Sequence, residues 1–217
     1  FAGGFVLFTF RDDLGMVAQR LRAEATLRYR VGMEELIADI SARFINLPSS
    51  QMDSEITLSL ERVGRFVGSD RSFVFLLAED GQVMQRVHRW ESPEVKHSLE
   101  NVQTIPVADF EWTFARLARL ESVSIPNASE LPPDAARDRD SMLALGIQSM
   151  LAVPLKIRDH KIGVVEVINK HGESGFNDRD QEIATAFAAQ AAIAIDNARL
   201  YRQLADAVVE SRLSYRL

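Results

Sequence analysis

Between Ser49 and Leu200 the sequence changes its hydrophobic period in one order: helix, two strands, helices, two strands, long helix. Asp53 to Val67 carries Ile56, Leu60, Val63 and Val67 on one helical face, and Gly68 ends it as a left-handed cap. Ser72 to Leu77 and Val83 to Trp90 are apolar, strand-like runs on either side of Glu79-Asp80-Gly81, which predicts a hairpin. A helix is predicted over Asp109 to Leu120 and a short strand over Ser122 to Ile125; Leu131-Pro132-Pro133 then leads into a helix ending before Gly146. Ser149 to Ile157 and Ile162 to Asn169 form a second hairpin across Arg158-Asp159-His160-Lys161, and a long helix starts near Asp178. Regular strand–helix–strand alternation is missing, which excludes a doubly wound sheet. The expected class is α/β (α+β), an antiparallel sheet of about six strands flanked by helices.

Both ends carry patterns of their own. Gly3-Gly4 precedes the apolar run Phe5 to Phe10, which reads as a strand, and a lone strand needs a partner for its backbone groups. Over 14–47 apolar residues from Leu14 through Val17, Leu21, Met33, Leu36 and Ile40 to Phe44 recur at helical spacings. Such a stripe packs either on a second copy, as a coiled-coil-like dimer, or on the chain's own domain. At the far end Leu200, Leu204, Ala207 and Ser211, with Tyr201, Val208 and Tyr215 beside them, form a heptad-like stripe. It suits an output linker over 201–217, or else a frayed tail. The chain has no initiator Met and ends in a charged helical pattern, so a piece of a longer protein is expected.

Composition narrows the function. The chain has 217 residues and a formal charge of −6, with no basic excess to meet nucleic acid. It contains no cysteine, which rules out disulfides, thiolate catalysis and cysteine-ligated metals, and fits a reducing, cytoplasmic setting. No apolar run is long enough for a membrane helix. Nucleophile elbows and phosphate-binding glycine loops are missing, so no enzyme activity and no cofactor are expected.

The segment Gly146-Ile-Gln-Ser149-Met-Leu-Ala-Val-Pro154-Leu, then Ile162-Gly163-Val-Val-Glu-Val-Ile-Asn169-Lys170, then Phe176 and Asp180 opening an alanine-rich helix, resembles a GAF domain. The helix Ala184 to Leu204 is similar to that family's closing helix, and the resemblance covers about 36–204, with a GAF domain drawn at 48–200. Gly163 at a strand start permits close approach. Asp178 or Asn177 can cap the last helix. Asn169, Lys170, Phe176 and Asp180 also look like the lock of cyclic-nucleotide-binding GAF domains, although Gln181 stands where the last acidic residue belongs. They read either as a structural clasp or as a nucleotide signature. Separately, Gly4 to Asp12 resembles the last strand of a PAS domain, which would make 1–13 the remnant of an upstream sensor domain.

The resemblance implies a ligand pocket between the sheet and the middle helices. The candidates are Phe75, Met84, His88 and Trp90 on strands, with Phe110, Trp112 and Phe114 in or beside the Asp109 helix; strand alternation puts Met84, His88 and Trp90 on one face. This set either stacks on a planar ligand or fills a core. Asp109 and Glu111 at that helix's start disfavour a phosphate, which leaves a neutral or aromatic small molecule. His88 is a packed residue or a haem ligand, His97, His160 and His171 are solvated, and none has metal-ligand spacing. The expected function is a regulatory sensor module that binds a small molecule and signals through dimeric flanking helices to an output domain missing here, such as a histidine kinase of a two-component system or a nucleotide cyclase. The alternative is a ligand-free dimerisation and relay module.

Overall fold

The computed structural model describes residues 3–45, 47–95, 99–157, 160–170 and 175–214. The chain forms two compact units, residues 1–38 and 39–217. The first consists of helix α1, which runs unbroken from Gly3 to Ile45 and thus into the second. Its Val17, Leu21, Leu27 and Val31 are exposed. The run over Phe5 to Phe10, expected as a strand, is helical. No ladder partner exists for it among the six strands of the sheet, whereas a helix satisfies its own backbone. The likeness to a PAS strand rested on that extended run and loses its footing with it.

The second unit is built on one antiparallel sheet in the order β3-β2-β1-β6-β5-β4. Its strands are β1 (Ser69–Leu77), β2 (Val83–Glu91), β3 (Thr104–Pro106), β4 (Val123–Ile125), β5 (Met150–Ile157) and β6 (His160–Lys170). Both predicted hairpins are present, β1 with β2 and β5 with β6, and β1 pairs with β6 to join them. Strand β3 has no apolar run to announce it; its three residues ride on Val83 to Gln85 of β2.

Helices α2 (Met52–Val67) and α5 (Asp178–Ser214) cover one face of this sheet. Ile56, Leu60 and Val63 of α2 and Ile183, Phe187 and Ala191 of α5 are buried there. Full burial of the isoleucine, leucine, valine and phenylalanine side chains contributes about 1.5–3 kcal/mol each. Gly68 closes α2 at φ 73°, with its N–H returned to the Arg65 and Gly64 carbonyls. Gly64 lets the helix lie close to the sheet: a Cβ there would sit 2.6 Å from the Trp90 ring. Gly163 does the same between strands, where a Cβ would meet the Phe75 carbonyl oxygen at 2.0 Å.

The other face is covered by shorter pieces, α3 (Glu111–Leu117) and α4 (Ala136–Ala144), with single turns between. The helix expected over Asp109 to Leu120 is split. Val107–Phe110 forms a tight 3₁₀ turn, Phe110 breaks the helical conformation at φ −134°, and Leu120 is left-handed at φ 62°. Helix α5 is capped by Asn177, whose Oδ1 accepts from the Arg179 and Asp180 amides at 2.9 and 3.3 Å. Asp180 answers by accepting from the Asn177 amide at 2.9 Å, a reciprocal capping box. Along the exposed side of α5 lie Ile193, Leu200, Leu204 and Val208. His97, His171 and Tyr215 lie outside the described residues, as do the side chains of Lys170, His160 and Ser211.

Candidate functional site

Register decides which predicted site residues meet. Val74 stands opposite His88, yet Phe75 stands opposite Arg86, so Val87 is an extra, unpaired residue in β2. This bulge shifts the alternation by one residue. Met84 therefore turns toward α3 and α4, while His88 and Trp90 turn toward α2 and α5. The expectation that all three share a face fails at Val87, because period-two counting holds only along an unbroken ladder.

On the α3/α4 side Phe75, Met84, Phe110 and Phe114 come together in one buried cluster with Phe73, Ile125, Met150 and Met142, and Trp112 packs against its edge. The Phe73 and Phe75 rings meet edge to face at 5.9 Å. Arg86 holds the following loop across them, donating to the Leu99 and Glu100 carbonyls at 2.6 and 2.7 Å with its guanidinium 5.5 Å from the Phe73 ring centre. Arg116 lies 3.4 Å over the Trp112 ring. Asp138 of α4, almost fully buried, accepts from the Trp112 and Thr113 amides at 3.1 and 2.8 Å. The first amides of α3 are therefore already occupied by a carboxylate from another helix, and Asp109 pairs with Arg137 at 3.0 Å.

Beside the cluster lies a cavity of about 480 Å³. Val102, Ile105 and Pro106 form one wall, Phe110 the floor, and Ser141, Ala144 and Leu145 the α4 side. Of the predicted pocket residues only Phe110 lines it. The aromatic cluster itself is filled.

Glu166, which the sequence reading passed over, occupies the centre of this face. By register it lies between Phe73 on β1 and Ala152 on β5. Burial raises its carboxyl to about 7, and among the described residues no donor or cation faces it. Trp112 Nε1 and Thr113 Oγ1, on the helix above, are buried without partners among the described residues. The signal was present as a carboxylate inside Val164-Val-Glu-Val-Ile168, an otherwise apolar strand covered on both faces.

The remaining candidates serve other contacts. Trp90 packs on α2 with the Arg65 guanidinium 5.5 Å from its ring centre. His88 is buried beside α2, its Nδ1 3.2 Å from Thr57 Oγ1. Asn169, left-handed at φ 52°, stitches β6 to the turn before β5: its Oδ1 accepts from the Gln148 and Ser149 amides at 2.6 and 3.2 Å, and its Nδ2 donates to Gly146 at 2.9 Å. Phe176 is buried under the start of α5, and Asp180 is engaged in the capping box. The side chain of Lys170, the fourth member of that lock, lies outside the described residues. Among the described residues no three histidine, aspartate or glutamate side chains converge to hold a metal, and no helix is long and apolar enough to cross a membrane.

Comparison with known proteins places this architecture. The GAF domain family model matches residues 52–195. A probable 3′,5′-cyclic phosphodiesterase of Caenorhabditis elegans is 26% identical over 171 residues, covering 76% of this chain; the chain spans 23% of that relative's length. Among solved structures, the phycocyanobilin-bound GAF domain of a cyanobacterial phytochrome superposes with a TM-score of 0.65 at 19% identity, covering 78% of this chain and 96% of that one. A fragment of a methyl-accepting chemotaxis protein does so with a TM-score of 0.58 at 21% identity, covering 75% and 98%.

Proposed function

The chain belongs to the GAF domain family, whose members are regulatory sensor modules, and from that premise we propose that it binds a small neutral or aromatic molecule on the α3/α4 face. The observation that carries this reading is a cavity of about 480 Å³ lined by Phe110, Ile105 and Ser141, on the same face of the sheet that buries the unused polar capacity of the Glu166 carboxyl, Trp112 Nε1 and Thr113 Oγ1. A phosphate is disfavoured, because Asp138 already occupies the α3 amides. Occupancy favours one packing of the helices flanking the sheet, and a homodimer built through α1 and α5 carries that bias to an output domain of the histidine kinase or nucleotide cyclase class, in the cytoplasm. The module itself has no catalytic role.

The filled aromatic cluster favours a second reading, a dimerisation and relay module that needs no ligand. Native mass spectrometry, first gentle and then denaturing, separates the two. A dimer carrying a small mass that leaves on denaturation, and that Ser141→Trp no longer retains, is expected from ligand sensing. A bare dimer from every preparation supports the relay reading, and a bare monomer overturns both.

A further inference from the structure

We propose that a second ligand site lies on the opposite face of the sheet, for a small organic ammonium held between Asp53 and His88. A cavity of about 570 Å³ opens there between the first turns of α2, the β1–β2 hairpin and α5. Its apolar wall is Leu76, Val87 and Ile195; its polar side is Asp53, Thr57 and His88. The bulge at Val87 creates this arrangement, because it alone turns His88 to this side.

The hydrogen positions define the ligand. Thr57 Oγ1 gives its one proton to the Asp53 carbonyl four residues back, at 3.0 Å. With that proton so placed, the hydroxyl accepts from His88 Nδ1, 3.2 Å away, and we assign the imidazole hydrogen to Nδ1 on this ground. Nε2 is left as a bare acceptor aimed into the cavity, 3.9 Å from Asp53 Oδ1. Two acceptors thus converge with no donor between them, and their separation is too long for a bond of their own but suits bridging by one N–H-rich group. Asp53 makes the site attractive to a cation and repellent to an anion. The apolar wall takes a short branched alkyl body.

Burial, opposed by the Asp53 charge, lowers the His88 pKa and keeps the imidazole neutral at pH 7 and above. Among the described lining residues only Asp53 and His88 carry ionisable side chains. Below the lowered pKa, Nε2 gains its own proton, pairs with Asp53 and competes with the ammonium.

The test uses isoamylammonium as probe and isoamyl alcohol as its neutral control, followed by the ¹⁵N signal of the His88 ring. At pH 8 the ammonium is expected to shift that signal saturably and the alcohol to shift it far less. Asp53→Asn, an exposed position whose fold is checked in the same spectra, weakens binding about tenfold, and lowering the pH from 8 to 5 weakens it as well. Ser141→Trp, on the far face, leaves it unchanged, so this site stands or falls apart from the α3/α4 pocket. Absence of a saturable shift at pH 8, or equal binding by Asp53→Asn, overturns the proposal.

Discussion

The two faces of the sheet solve the same burial problem with different material. Toward α2 and α5, two long helices present regular stripes, and Gly64 brings α2 against Trp90 with little room to move. Toward α3 and α4, a seven-residue helix, a nine-residue helix and several single turns cover the strands, and Asp138 has to complete the α3 terminus from another element. Each face also buries a group whose pKa burial displaces, in opposite directions: the Glu166 carboxyl is raised to about 7 and the His88 imidazole is lowered. Regular cover still leaves a cavity of about 570 Å³ and the buried Ser59 Oγ without a partner among the described residues, while piecemeal cover leaves one of about 480 Å³ with Trp112 Nε1 and Thr113 Oγ1 unpartnered, so each face keeps room for recognition.

The sharpest way to break this contrast is to open a void on each side. Phe187→Ala on α5 is expected to cost about 3–5 kcal/mol by urea unfolding, since a rigid surround cannot collapse around the cavity. Phe114→Ala on α3 costs visibly less, because short elements can close in. Equal losses would show that the two covers are mechanically alike.

A smaller effect sharpens the electrostatic half. The folded pKa of Glu166, about 7, lies above its ordinary value of 4.5, so the folded state binds more protons between the two and stability falls as pH rises through that window. Glu166→Gln is expected to stabilise the protein by about 1–2 kcal/mol at pH 8 and to change nothing at pH 4. A stability gain that is the same at both pH values would refute the assignment.

The smallest effect belongs to His88. Its folded pKa is depressed, so its contribution is complete above the ordinary histidine range and is lost as pH falls below about 6.5. His88→Gln should flatten that acid-side decline by less than about 1 kcal/mol and leave the alkaline side untouched, readable as thermal midpoints from pH 8 to pH 5. An unchanged acid decline would place the responsible group elsewhere.

How much of this was legible in the residues depended on whether a signal was local. The hairpins were, because Gly81 and the apolar runs around it carry their own turn and pairing information. So was α2, from its stripe to Gly68. The placement of His88 was not: the bulge at Val87 arises from pairing β2 against β1, and nothing in Val83 to Trp90 announces it. The helical state of Phe5 to Phe10 was misread because an apolar, aromatic run fits either period, and only the strand inventory of the sheet decides. Glu166 could have been found by asking why a carboxylate interrupts a doubly covered strand. The Asp138 cap could not, since it joins residues some 25 positions apart across two helices.

Helix α5 continues without interruption for 37 residues, about 55 Å at 1.5 Å per residue. It is bolted near its start by the Asn177–Asp180 capping box, and it emerges bearing Leu200, Leu204 and Val208 on its surface. A shaft with no joint carries rotation along its axis: a few degrees of roll imposed where Phe187 meets the sheet would change the compass bearing of the apolar stripe at Val208, with no lengthening of the helix.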